Sequence, residues 1–256
     1  ATTLSNGTYL ILVGTSSQVR IEFSNFPTSY HSGPTGLGSG TSVQFVNGGG
    51  TANLGINYPA DFCGASPELV TPCYVNGTPL NGSSSANDPF IVTFPYTPIG
   101  NGTIGTTSEN AYLSKGSEVG STWGMAYQRS SKYIFTSALL KRHSGYGPGG
   151  PGAIYKIDVS GGTQITSLFV DLKMDLGIDV GVDSRNQASA VDSLSKIKTQ
   201  PNHDSTAFGN VGKVSLGGID ISDDEKTMWV INTFDKKLYE LSVGSPATKP
   251  TTTMAH

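Results

Sequence analysis

Four aspartates spaced by four, Asp171, Asp175, Asp179 and Asp183, form the most regular acidic set in the chain. Held in a loop, such carboxylates coordinate Ca2+ together with backbone carbonyls. The spacing departs from an EF-hand loop, whose ligands alternate by two. On a helix the four would share one face and repel, and Gly177 and Gly181 argue against that helix. Calcium is thus the one candidate cofactor, and solvated turn carboxylates are the plainer reading. His203-Asp204-Ser205 sets the three residue types of a hydrolytic triad side by side, but triad members converge from separate elements, so a turn is expected there. Asp158, Asp220 and Asp235 are further carboxylates that a central channel would gather, without an assignable acid–base pair. Gly147-Pro-Gly-Gly-Pro-Gly152 lacks the Lys-Ser/Thr that completes a phosphate loop. No nucleophile elbow and no His-Glu-x-x-His occurs. The expectation is a protein that is not an enzyme.

Cys63 and Cys73 are the two cysteines, flanking a short loop with two prolines. In a chain of extracellular composition they read as a disulfide, with two free thiols the alternative. Such a bridge closes a short loop and typically contributes about 2–3 kcal/mol. Asn6, Asn76, Asn81 and Asn101 begin Asn-x-Ser/Thr sequences and are candidate glycosylation sites. Trp123, Tyr127, Tyr146, Tyr155, Trp229 and Tyr239 could line a carbohydrate site. Packing is the expected role of those inside strands, with Tyr146, in a Gly/Pro-rich loop, expected to be exposed.

Charged residues make up 14% of the 256 residues, the net charge is -3 and glycine fills 33 positions. Low charge and abundant glycine fit short strands joined by many turns in a secreted protein. The densest basic spot, Lys141-Arg142-His143, is too small for a nucleic-acid footprint. No apolar run approaches the length of a membrane span. The first residue is Ala1 and no basic n-region precedes an apolar run, which reads as a processed or excised segment.

The elements that must carry these residues are strands. Gly7-Thr-Tyr-Leu-Ile-Leu-Val13 and Gln18-Val-Arg-Ile-Glu-Phe23 read as an antiparallel pair, and Thr41–Val46 as a third strand. Phe90–Tyr96 is a strand that Pro95 ends or confines to an edge. Asn76 to Asp88 reads as an exposed excursion, Ile165–Val170 as a strand, and Val191–Lys198 as a short helical turn.

The dominant pattern is a repeat. Gly124–Phe135 aligns without gaps on Gly218–Trp229, and Ala153–Asp158 matches Lys237–Ser242. The first halves are offset by 94 residues and the second by 84, the difference falling in the long loop Ser144–Gly152. Strands that hold their length while a loop changes are the mark of propeller blades. The expected fold is all-β. It comprises β-sandwich-like, immunoglobulin-like strands over 1–46, a partial or complete β-propeller-like domain over 47–245, and a flexible Pro/Thr-rich tail over 246–256.

Gly120–Lys132, Leu140–Gly145, Gly217–Trp229 and Phe234–Tyr239 resemble bacterial extracellular proteins with serine-aspartate-repeat B-type (Cna B-like) modules adjoining a β-propeller. Residues 1–27 are similar to the closing strands of such a module. Ser222–Val230 is similar to turns of surface-layer propellers, and Cys63 and Cys73 stand where that family tends to place a pair. The resemblance implies a surface or secreted location and a structural or adhesive role. The chain departs from that family, whose propeller continues further, so it reads as a fragment or as a subunit that completes open strand edges with strands from neighbours, through self-association or a neighbouring surface protein, into filaments. A glycan-binding or carbohydrate-active propeller is the alternative.

Overall fold

A computed structural model describes residues 1–14, 18–33, 35, 38–58, 67–96, 111–185 and 192–256. The chain is all-β, built of several antiparallel sheets, none of them closed into a barrel among the described residues. It divides into two compact units, Ala1–Pro67 and Glu68–His256, a boundary later than the expected one at residue 46.

In the first unit β1 (Gln18–Glu22) pairs antiparallel with β3 (Val43–Asn47), setting Val19 opposite Val46. β2 (His31–Ser32) pairs with β4 (Ile56–Asn57). The expected hairpin between 7–13 and 18–23 is replaced. Residues 8–14 carry no strand, and β3, which alternates in the same period as β1, takes the pairing. Tyr9 is held from the side, its hydroxyl donating to the Ala52 carbonyl at 2.5 Å and its ring meeting Phe23 edge-on at 5.6 Å.

Among the described residues, the second unit holds three sheets. The first contains β5 (Glu68–Pro72), β6 (Pro89–Pro95) and β7 (Ala111–Lys115), with β6 central. Pro95 therefore marks a strand end, not an edge strand. The second is a meander of β8 (Thr122–Gln128), β9 (Tyr133–Ala138), β10 (Ala153–Asp158) and β11 (Ile165–Asp171). The third is a meander of β12 (Leu216–Ile221), β13 (Thr227–Asn232), β14 (Lys237–Ser242) and β15 (Thr253–Ala255). Among the described residues, three short α-helices, α1 (Gly116–Val119), α2 (Leu172–Leu176) and α3 (Ser205–Asn210), and a 3-10 turn at Gly150–Gly152 complete the unit. The helical turn expected over 191–198 does not form across the described residues 192–198; the helix falls at α3.

The sequence repeat and the strands coincide. β9 and β13, and likewise β10 and β14, begin and end at aligned residues. Pairings repeat too: Ala126 faces Phe135 as Asp220 faces Trp229, and Lys156 faces Phe135 as Glu240 faces Trp229. Even the irregularity recurs. One extra residue is inserted between Thr122 and Met125 and again between Leu216 and Ile219, a bulge that bends the strand and tightens its twist. The two bulged strands lie against each other. A Cβ on Gly124 would fall 2.6 Å from the Ile219 amide nitrogen and 2.7 Å from the Gly217 carbonyl oxygen.

The sheets stack face to face, and alternation along each strand builds two cores. Phe90 and Ile91 of the first sheet meet Ile134, Tyr155 and Ile157 of the second. Ala126, Phe135, Ile154 and Phe169 on the second sheet's other face meet Leu216, Ile219, Met228, Val230, Tyr239 and Leu241 of the third. Residues 246–256 are not a free tail. Ala247 is buried, its amide donates to the Gln128 side chain at 2.9 Å, and β15 pairs with β14.

Gln128 and Glu225 tie the hairpin turn of the second sheet to the third. The fully buried Gln128 amide donates to the Glu225 and Gly244 carbonyls, both at 2.8 Å. The Glu225 carboxylate accepts from the Arg129 amide at 3.0 Å and the Ser130 amide at 3.1 Å. Ser130, first through its side chain and then its amide, with Arg129 after it, holds that carboxyl below the usual carboxylate range. A depressed folded-state pKa means stability that is complete above the ordinary value and lost as pH falls through the folded one. Glu225→Gln should accordingly cost about 1–2 kcal/mol at neutral pH. Melting curves of both proteins from about pH 7 down to about pH 2 should show the gap closing below about pH 4.5; a gap constant with pH would refute the assignment.

Candidate functional site

Among the described residues, charged side chains converge most densely where the insertion after β11 returns to the loop after β9. Arg185 and Asp204 come from the insertion, which also carries α3, and His143 and Tyr146 from the loop. The Arg185 and Asp204 side chains are wholly buried. Arg185 grips Asp183 with both arms, Nε to Oδ1 at 2.8 Å and Nη2 to Oδ2 at 2.9 Å. Its Nη1 donates to the Ser144 carbonyl at 2.9 Å and the Lys141 carbonyl at 3.3 Å, and stands 3.9 Å from Asp204 Oδ2. Its guanidinium lies 5.5 Å from the centre of the Tyr146 ring. Asp204 Oδ2 accepts the His143 amide at 2.7 Å, while Oδ1 lies 2.8 Å from His143 Nδ1, out of line for a hydrogen bond. A planar fork is the side chain suited to bind two carboxylates and two carbonyls at once.

Only part of this was legible in the sequence. Asp204 belongs to the His203-Asp204-Ser205 run, but its partners are Arg185 and His143, not its neighbours. The His203 amide instead donates to the Ser193 carbonyl at 3.0 Å. Lys141-Arg142-His143 is more than a polar strand end, since His143 closes onto the buried carboxylate. Sequence reasoning missed Arg185; the available signal was one of only four arginines in a weakly charged chain.

The four aspartates do not converge. Asp171 caps α2, accepting from the Lys173 amide at 2.9 Å and the Met174 amide at 3.3 Å. Asp175 accepts the Asp171 amide at 2.9 Å and pairs with Lys249 at 2.7 Å, and these contacts hold its carboxyl below the usual range. Asp179 accepts the Gly181 amide at 3.0 Å and stands 3.6 Å from Lys173, and Asp183 is taken by Arg185. Among the described residues no group of three or more His, Cys, Asp or Glu is placed to hold a metal ion. Asp158 and Asp235 likewise bind locally, to Ser160 and to Lys237 and Tyr239, and Asp220 is exposed.

Cys73 is a half-buried free thiol whose pKa is raised by burial. The expected bridge therefore finds no support at Cys73, and Cys63 lies outside the described residues. Asn6 and Asn81 are exposed, with the Asn6 side chain accepting the Thr8 amide and hydroxyl at 3.1 and 2.7 Å. Asn101 lies outside the described residues. Asn76 is a structural hub: its Nδ2 donates to the Lys198 and Gln200 carbonyls at 2.7 and 3.1 Å, and its Oδ1 accepts from Asn202 at 2.6 Å. The expected excursion over 76–88 is thereby pinned to the insertion, and Thr78, Ser85 and Ala86 are buried.

The aromatic expectations partly invert. Tyr146 is buried, and burial pushes its phenol well above the usual range. Its loop is packed because glycine permits backbone-to-backbone approach: a Cβ on Gly120 would lie 1.9 Å from the Gly147 nitrogen. Tyr155 and Tyr239 are buried as expected, with desolvation first and then Asp235 pushing Tyr239 up to about 12. Trp123 and Tyr127, by contrast, are 58% and 47% exposed on β8.

Fold and site together define an all-β protein of repeated, face-stacked antiparallel sheets, braced by a buried ion network. No family model matches the chain. It is similar to Colossin-D of Dictyostelium discoideum, 30% identical over 196 residues, covering 75% of this chain and 19% of that protein. It is also similar to two others from the same organism. Colossin-A is 31% identical over 209 residues, 73% of this chain and 2% of its own length. Colossin-B is 30% identical over 165 residues, 64% and 4%. The chain thus spans less than a fifth of the length of these curated relatives.

Proposed function

We propose that this chain is a non-enzymatic extracellular scaffold module: blade-like sheets of a β-propeller, following immunoglobulin-like strands, that serve a structural or adhesive role in a surface filament or matrix. The observation that carries this reading is the duplication itself. In the two meanders the two inner strands share limits and register, the first strands share a bulge, and apolar faces join the meanders into one stack. Such units present surface along a stack without needing a catalytic cleft. Convergent side chains at the Arg185 network bind one another and the backbone, a bracing arrangement. The resemblance supplies the bacterial surface setting; the curated relatives are from Dictyostelium discoideum. Antibodies raised against the chain should label extracellular matrix or surface filaments of the source cells in electron micrographs; labelling confined to the cytosol would overturn the reading.

A second reading, glycan binding by the propeller, is favoured by Trp123 and Tyr127, which leave aromatic faces open on one strand. On a glycan array, specific binding abolished by Trp123→Ala without product release would favour a binding module. Release of product would favour an enzyme.

A further inference from the structure

We propose that the outer face of the third sheet is a docking face for a further four-stranded antiparallel sheet of the same repeat. This rests only on the stacked-sheet part of the reading above, so it fails or stands separately from the extracellular setting.

Every four-stranded unit in the chain has two faces with different duties. On the second sheet, Ile134, Tyr155 and Ile157 pack back onto the first sheet, and Ala126, Phe135 and Ile154 pack forward onto the third. The repeat carries the backward face onto Met228, Tyr239 and Leu241 of the third sheet, and these do pack backward, onto the second. It carries the forward residues Ala126, Phe135 and Ile154 onto Asp220, Trp229 and Leu238, and Ser137 onto Ile231. On the second sheet all four forward residues are buried, and Ser137 donates to the Gly217 carbonyl of the next sheet at 2.6 Å. On the third sheet the aligned positions face solvent: Ile231 is 45% exposed, Leu238 38% and the neighbouring Met254 59%, with Trp229 half-buried.

The cross-strand pairs are also the same. Ile231 faces Leu238 as Ser137 faces Ile154. Both the surface and its register thus continue an interface already present one sheet earlier. Trp229, Ile231, Leu238 and Met254 lie on adjacent strands of this face, Ile231 directly beside Leu238, with Glu240 between Trp229 and Met254; exposed apolar side chains rimmed by charge mark an interaction surface.

The geometry also selects the occupant. A second copy of this chain offers no free backward face on a four-stranded sheet, because those of its second and third sheets are already packed. The partner is therefore another repeat unit with apolar residues at the positions of Met228, Val230, Tyr239 and Leu241.

The test uses the full chain and an extended chain in which residues 214–256 are repeated after His256. Ile231→Lys should shift the Tm of the full chain by no more than about 2 °C. In the extended chain, where Ile231 is covered, it should lower Tm by about 4 °C or more. A second extended chain carries Asp220→Ala, Trp229→Phe and Leu238→Ile in its first copy, reproducing the Ala126, Phe135 and Ile154 face. Sensitivity to Ile231→Lys in either extended chain supports the docking face. Insensitivity in both overturns it, since a mismatched appended sheet no longer explains the result. Sedimentation that shows the unextended chain dimerising, with Ile231→Lys restoring the monomer, also overturns it by naming a second copy as the occupant.

Discussion

Replacing Arg185 with alanine should lower the free energy of unfolding by about 3–5 kcal/mol, the scale expected when one partner of a buried ion network is removed. The guanidinium has no solvent-exposed surface and engages Asp183, Asp204 and the carbonyls of Lys141 and Ser144. Without it the wholly buried Asp204 side chain keeps, among the described residues, the His143 amide and a poorly aligned imidazole as partners. The Ser144 and Lys141 carbonyls also lose this donor, the Lys141 carbonyl keeping a longer bond from the Ser144 amide at 3.4 Å, and each unpaired buried polar group costs about 1–3 kcal/mol. Equilibrium denaturation in urea would measure the loss. The decisive comparison is Arg185→Met with Asp204→Asn, which removes charge from both sides. If the network is an ion bridge, this pair should recover part of the loss; if Arg185 acts only by filling space, the two changes should simply add.

The second large effect is expected at Gly120. Its φ of 59° and ψ of -153° lie in a region that residues with a Cβ rarely enter. A Cβ there would also sit 1.9 Å from the Gly147 nitrogen and 2.4 Å from the Tyr146 carbonyl carbon. Backbone strain of about 1–3 kcal/mol and overpacking of about the same size act together, so Gly120→Ala should destabilise by about 2–6 kcal/mol. Gly150→Ala is the natural comparison. It shares a positive φ, of 67°, but meets open space, so it should show the backbone cost alone. Equal losses at both sites, read by thermal unfolding, would show that the close approach at Gly147 is unimportant.

The repeat, its strands and even the loop expansion were readable in the sequence because strand pairing enforces a strict alternation. Ile134 and Met228, or Tyr155 and Tyr239, must recur at fixed positions if both meanders are to bury the same face. The bulge was not readable, since Trp123-Gly124 and Gly217-Gly218 share no pattern beyond glycine. The site was least readable. Arg185, Asp204 and His143 are distant along the chain and meet only because the insertion folds back over the loop after β9. No local spacing encodes that return. The Gly/Pro-rich loop at 144–152 misled for a related reason. Glycine signals a flexible turn when nothing lies nearby, yet the same absence of a side chain lets Gly147 pack directly on Gly120. The same ambiguity applies to Pro246–Thr253, whose composition suits a linker although Ala247 and β15 are fastened to the sheet.

Asn76 has a consequence for the order of assembly. Its hydrogen bonds reach Gln200 and Asn202 across sequence separations of 124 and 126 residues. Contacts of such separation must overcome the entropy of closing a long loop, and they slow folding relative to hairpin contacts. On a ribosome, the excursion over 76–88 emerges long before the residues that fasten it. The meander of β8 to β11 can form from neighbouring strands in the meantime, leaving the clasp to shut over sheets that already exist.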